Sequence, residues 1–218
     1  MQGTAVFVDV DGTLVDSNFH HAIAWSRALR DHGENARLAA IHRSVGMGGS
    51  ELLTALIGHD DEAIRTSWRD HFDALLPEVV AFERAAELLR AFHAHGVTVV
   101  LATSSPEDLL DQLRAKFGAD DAIDIVVTAG DVDHAKPRPD IFEAALEKSK
   151  ATPERVLVLG DSVWDVEAAK RSRLRCVGVE TGGFSRMELE AAGAVAVFRD
   201  PGDLLARLDQ SPFADLWT

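Results

Sequence analysis

A chain of 218 residues, 46% apolar and 27% charged, has room for one large domain or for a core carrying a smaller inserted unit, and this composition excludes global disorder. Its 36 acidic and 22 basic residues give a formal charge of -14, a field that repels phosphate backbones and anionic lipid, so neither nucleic acid nor membrane is an expected partner. A small anionic substrate remains open, because local donors or a cation override the mean field. The single cysteine, Cys176, rules out an internal disulfide and speaks against a thiolate zinc site; inside a strand-like run it reads as a small buried hydrophobe. No apolar stretch approaches the ~20 residues needed to cross a bilayer. With no basic leader before Ala5-Val6-Phe7-Val8, the cytoplasm is the expected compartment.

The first apolar run, residues 4–10, predicts a strand that ends in Asp9-Val10-Asp11-Gly12-Thr13. From residue 16 to 81 no segment reads as a strand. Apolar positions recur there at helical spacing through 22–29, 52–57 and 64–76, with breaks at Gly33-Glu34-Asn35, Gly46-Met47-Gly48-Gly49 and Gly58-His59-Asp60-Asp61. Further Val-rich runs at 97–102, 125–128, 156–160, 175–179 and 195–198 suit strands buried on both faces. Helical patterns at 106–117, 138–150 and 163–173 lie between them, the first opened by Pro106 and closed by Gly118. The alternation predicts an α/β fold, a doubly wound parallel sheet formed by residues 1–15 and 82–218, with residues 16–81 inserted as a helical cap.

Ligands of such sheets bind beyond the carboxyl ends of the strands, so the residues that follow each run outline the site. They are Asp9 and Asp11; Thr103, Ser104 and Ser105; Asp131 and Lys136; and Gly160-Asp161-Ser162 with Asp165 one turn on. Asp9 and Asp11, two apart on a strand, face the same way and repel. Gathering further carboxylates from Asp161 and Asp165 makes sense around a hard divalent cation, for which Mg2+ is the natural choice. Lys136, stiffened by Pro137 and Pro139, adds a fixed ammonium, and Thr103 and Ser104 add donors at a helix start. Together these are the parts expected around a transferring phosphoryl group.

Four segments, Asp9-Val10-Asp11-Gly12-Thr13-Leu14-Val15-Asp16-Ser17, the strand-terminal Thr103, Lys136-Pro137-Arg138-Pro139-Asp140-Ile141-Phe142 and Gly160-Asp161-Ser162-Val163-Trp164-Asp165, occur in an order that resembles the motifs of the haloacid dehalogenase superfamily. The helical insertion resembles the cap of its phosphoglycolate phosphatase and β-phosphoglucomutase branch. The resemblance implies that Asp9 is the nucleophile of an aspartyl-phosphate mechanism and Asp11 the general acid and base, a role that asks for a raised pKa. It further implies that Mg2+ is held by Asp9, by the backbone carbonyl of Asp11 and by Asp161, with Asp165 contributing directly or through water. Thr103, Ser104 and Lys136 would bind phosphoryl oxygens, with Gly12 and Thr13 in the turn beside them. The implied activity is a Mg2+-dependent phosphatase, acting as monomer or homodimer on a small phosphorylated metabolite such as phosphoglycolate or a sugar phosphate.

Several residues carry two readings. Asp165 is either a metal ligand or a first-turn helix acid. Arg43 either reads a carboxylate or second phosphate, or lies in a solvated helix end. Gly46, Gly48 and Gly49 either reach over the substrate or merely turn the chain. His21 stands twelve positions after Asp9, where the phosphoglucomutase branch has a histidine facing the site, and Trp164 either packs the core or lines the entrance. The segment Val79-Val80-Ala81-Phe82-Glu83 lacks the Pro-Gly pair common at the cap hinge in relatives. The main rival activity is a β-phosphoglucomutase-like mutase. Asp11 speaks against a dehalogenase, and the absence of lysine between Asp16 and Ala81 speaks against a phosphonatase. The intact acidic motifs speak against a non-catalytic module.

Overall fold

The structure, a computed structural model, describes residues 3–217. The chain opens with β1 (Ala5–Val8), every residue of which is buried. Four helices follow, α1 (Asn18–Asp31), α2 (Leu38–Ser44), α3 (Gly49–Ile57) and α4 (Glu62–Leu75). The alternating part continues with α5 (Ala85–Ala94), β2 (Thr98–Ala102), α6 (Glu107–Phe117), β3 (Ile125–Val127), α7 (Asp140–Ser149) and β4 (Val156–Gly160). It closes with α8 (Val163–Arg171), β5 (Arg175–Val179), α9 (Arg186–Ala192), β6 (Ala196–Phe198) and α10 (Pro201–Ala206).

Each expected strand is present; 156–160 and 175–179 keep their expected bounds, and the other four are trimmed by one to three residues. The first stops at Val8 because the Val10 carbonyl folds back to accept from the amides of Thr13, Leu14 and Val15. Helices α2, α5, α9 and α10 are present beyond the helical patterns expected from the sequence.

All strands run parallel, in the order β3-β2-β1-β4-β5-β6. Val8 is level with Leu101 of β2 on one side and Leu159 of β4 on the other, so the residues after these three strands emerge at one height. The strand order reverses beside β1, and there the connections diverge and leave a crevice.

Alternation along β1 sends Val6 and Val8 to one face and Ala5 and Phe7 to the other. The first face packs Leu88, Leu89 and Phe92 of α5 and Leu109, Leu110 and Leu113 of α6. The second packs Ile141, Phe142 and Ala145 of α7 and Val166 and Ala169 of α8. A third cluster, including Trp25, Leu29, Ile41, Leu53 and Ile64, belongs to α1–α4 alone. That segment is still tied to the sheet, since Ala24, Phe72 and Leu75 join the first-face core. Its two connections run side by side: Val15 pairs antiparallel with Ala81, and Asp16 N donates to the Val80 carbonyl at 2.9 Å. This short pairing stands where a Pro-Gly pair was looked for.

Phe142 shows how core and site meet. It is fully buried, stacks on Phe7 at 6.3 Å between ring centroids, and places its face 5.5 Å from Lys136 Nζ. Phe142→Ala should therefore lower unfolding free energy by about 3–5 kcal/mol in urea titrations; a loss below about 1 kcal/mol would mean that the site end of this core is not packed as described.

Candidate active site

At the end of β1, the Asp9 carboxylate is almost entirely buried and accepts a 2.5 Å hydrogen bond from Lys136 Nζ. The same ammonium, 1% exposed, lies 2.8 Å from Asp165 Oδ1 and donates to the Ala102 carbonyl at 3.0 Å. Asp161, at the end of β4, accepts from Thr13 Oγ1 at 3.0 Å, and the same hydroxyl lies 3.4 Å from Asp9. Of the two readings of Asp165, the first-turn helix acid is the one seen directly. Its Oδ2 caps α8 reciprocally with Ser162, while Oδ1 faces Lys136.

Asp11 turns away from this group. One oxygen accepts from Ser17 Oγ at 2.6 Å and meets His21 Nε2 at 2.9 Å; the other accepts from Ser105 Oγ at 2.6 Å. Burial pushes the carboxyl up, but His21, Ser105 and Ser17 outweigh it and bring it down to about 2. The raised pKa expected for Asp11 is thus not what this arrangement produces, because three donors stabilise its charged form. Its side chain is also absent from the cluster of Asp9, Asp161 and Asp165, whose oxygens lie within 4.8 Å of one another. Ser105 is among the strand-end hydroxyls that outline the site and Ser17 closes the first motif, but their hydrogen bonds to Asp11 are a finding of the structure.

A cavity of about 360 Å³ opens over Asp9 and Asp11, at the small end of ligand sites. Thr103, Ser104 and Ser105 line its core side, and His21, Trp25, Arg65 and Trp68 line its helical side. Gly46 and Gly49 border it as well, so the glycine segment does reach over the site. Gly49 makes room: a Cβ there would press within 3.2 Å of Arg65 Cδ and 3.3 Å of the Trp25 ring. His21 stacks on Phe72 at 4.0 Å, and Trp25 on Trp68 at 4.9 Å, forming an aromatic wall.

Other expected residues lie elsewhere. Arg43 does not line the cavity; it pairs with Glu188, sits 3.9 Å over the Phe184 ring, and fastens α2 to the sheet-bearing part. Trp164 donates from Nε1 to the Arg43 carbonyl at 3.0 Å, supporting the same contact. Gly12, at φ +78°, and Thr13 stand behind the carboxylates rather than on the cavity wall. Asp131 is outside the site: it accepts from Thr128 N and pairs with Lys148.

A family model described as haloacid dehalogenase-like hydrolase matches residues 4–173. The chain belongs to this family. A crystal structure of a hydrolase from Pseudomonas syringae superposes with a TM-score of 0.90 at 34% identity, covering 95% of this chain and 98% of that one. CbbY from Rhodobacter sphaeroides, in complex with xylulose-(1,5)bisphosphate, superposes with a TM-score of 0.77 at 27% identity, covering 94% and 96%. Validoxylamine A 7'-phosphate phosphatase of Streptomyces hygroscopicus subsp. limoneus is 29% identical over 188 residues, 83% of this chain and 87% of that protein. No helix among the described residues is long and apolar enough to cross a membrane.

Members of the haloacid dehalogenase-like family generally use a divalent metal, and the donor set of this one fits such an ion. Asp9, Asp161 and Asp165 are buried around one ammonium, which leaves two negative charges that a dication would match. The strain of that excess is visible in the carboxyls. Burial pushes Asp9 up, Lys136 pulls it back and Asp165 repels it, so that it rests at about 7 against an ordinary 3.8. Asp161 is raised well above its ordinary value by burial and by repulsion from Asp165 and Asp9. The stability that a neutral Asp9 lends the metal-free fold is full below pH 3.8 and lost as pH rises through about 7. The melting temperature of chelated protein should fall over that interval, and Mg2+ should raise it more at about pH 8 than at about pH 5. Calorimetry showing the same increment at both pH values would count against the coupling.

Proposed function

We propose that this hydrolase is a Mg2+-dependent phosphatase that takes the phosphoryl group of a small phosphomonoester onto Asp9. The observation that carries the reading is the placing of Asp9 at the floor of the cavity, its carboxylate oriented by Lys136 and grouped with Asp161 and Asp165. In this reading residues 16–81 act as the cap over residues 1–15 and 82–218, and Asp9, Asp161 and Asp165 hold the ion together with the backbone of Asp11. When bound, Mg2+ supplies positive charge to the phosphoryl oxygens and relieves the crowding of carboxylates.

Lys136 fixes the Asp9 carboxylate, whose oxygen attacks phosphorus while the bond from phosphorus to the leaving oxygen breaks. Thr103 and Ser104 offer donors to the phosphoryl oxygens from the cavity wall. The leaving oxygen takes a proton from Asp11, whose oxygen shares a hydrogen bond with Nε2 of His21. Asp11 is ionised in the arrangement described above, and a phosphate dianion arriving beside it favours its protonation. Asp11 then accepts a proton from the water that attacks phosphorus, the bond to Asp9 breaks, and inorganic phosphate leaves. Closure of the helical segment keeps bulk water from the acyl phosphate.

Asp9→Asn should abolish phosphate release while circular dichroism and melting stay native-like, and EDTA should remove the activity of the natural protein until Mg2+ is restored. Turnover by the asparagine variant, or full activity in chelator, would end this reading. A panel of phosphoglycolate, sugar phosphates, nucleotides and pyridoxal phosphate assigns the leaving group.

The phosphosugar mutase is the second reading, favoured by the contact of His21 with Asp11. Inorganic phosphate as the main product decides for the phosphatase, and isomer interconversion started by a sugar bisphosphate decides for the mutase.

The leaving-group end of the cavity is framed by Trp25, Trp68 and Arg65, so specificity is assigned to these and not to Arg43. Arg65→Gln should raise KM for the best substrate about tenfold with a smaller change in kcat. The same substitution at Arg43 should raise it less. Equal effects would return Arg43 to the site.

A further inference from the structure

The first turn of α1 brings a second polar side chain to the acidic cluster. Asn18, its first residue, is 3% exposed, and its Nδ2 donates to Asp161 Oδ2 at 2.8 Å and reaches the Gly182 carbonyl at 3.4 Å. A carboxylate only accepts, so this contact fixes the orientation of the amide. The amide oxygen is left buried and without a partner among the described residues. Two glycines close around the pair. A Cβ on Gly12 would come within 2.4 Å of Asn18 Nδ2 and 2.5 Å of Asp161 Oδ2. A Cβ on Gly182 would come within 1.6 Å of the same carboxylate oxygen. The two chain segments therefore leave room for an amide beside a carboxylate and for nothing larger. With Thr13 on its other oxygen, Asp161 has both oxygens held: one from the loop after β1, the other from the helical segment.

We infer that Asn18 is a positioning residue for Asp161, and that the docking of α1 on the sheet thereby sets the affinity for the divalent cation. The inference rests on the metal reading above. A group that orients a metal ligand without touching the ion commonly changes affinity ten- to a hundredfold when removed. The amide belongs to the segment that covers the site, while the ligand belongs to the sheet, so withdrawal of α1 withdraws the donor. One turn further on, His21 meets Asp11. The same helix face thus addresses the cation through Asn18 and the proton-transfer carboxylate through His21, and by linkage a bound cation favours the docked helix in return. An amide serving packing alone would have its oxygen satisfied as well and would not press its donor on an anion.

Mn2+ titration followed by electron paramagnetic resonance reads this without turnover. Asn18→Leu, close in shape, and Asn18→Ser should each weaken Mn2+ binding about tenfold or more, while the melting temperature of the metal-free Asn18→Ser protein stays near that of the natural one. In the natural protein, Mg2+ should also slow amide exchange through the first turn of α1. A natural protein that binds no Mn2+ defeats the metal reading itself. Natural binding with equally tight binding by the variants overturns the role of Asn18 alone, and so does exchange in α1 that ignores Mg2+. Should Asn18→Leu fail to fold, the serine variant and the exchange measurement decide.

Discussion

A lysine ammonium held between carboxylates below the surface organises this molecule. Lys136 donates to Asp9 and the Ala102 carbonyl and pairs with Asp165, and so joins the ends of β1 and β2 to the first turn of α8 through one side chain. Burial alone would lower the affinity of that amine for its proton, but Asp165 and Asp9 reverse the effect and raise it, so the group stays charged. Such a cluster is a poor way to stabilise a fold, since removing ions from water costs more than an ion pair usually returns. With three carboxylates to one ammonium it is also incomplete, and the incompleteness is what suits it to a cation and a phosphoryl group.

The sheet makes the cluster possible. Equal register of β1 with both neighbours puts Asp9 level with Ala102 and Gly160, the last residues of β2 and β4, and the reversal of strand order keeps helices from closing over that spot. Glycines then admit the carboxylates at close range: a Cβ on Gly160 would come within 2.5 Å of Asp165. Helix α1 completes the arrangement from outside the sheet. Ser17, Asn18 and His21 reach Asp11 and Asp161 within about one turn, so the helical segment is tied to the sheet-bearing part at the acidic cluster itself.

Much of this was legible in the residues. Parallel strands buried on both faces read as short Val-rich runs, and the acidic and hydroxyl residues after them mark the open end of the sheet. That logic placed Asp9, Asp11, Thr103, Lys136, Asp161 and Asp165 together, and the structure brings them to one end of the sheet. It failed for Asp131, which also follows a strand but turns back to cap Thr128 and meet Lys148. The chain position of a loop residue does not say which way its side chain points. Helix α5 carries Leu88, Leu89 and Phe92 at helical spacing, so its signal was present, whereas α2, α9 and α10 are too short for periodicity to speak.

The two arginines show where reading along the chain reaches its limit. Arg43 and Arg65 both lie in the helical segment and both pair with a carboxylate, Arg43 with the distant Glu188 and Arg65 with the nearby Asp60, and the chain alone does not say which of them borders the cavity. Packing decides. Gly49 opens a gap that the stem of Arg65 and the edge of Trp25 fill, which turns α4 toward the cavity. Arg43, one turn before the glycine segment, meets Glu188 and Phe184 as soon as α2 lies on the sheet-bearing part. Arg43 then joins α2 to the sheet-bearing part, while Arg65 borders the cavity. The side chains of α1 and α4 that border the cavity are thereby separate from the contact that joins α2 to the sheet-bearing part.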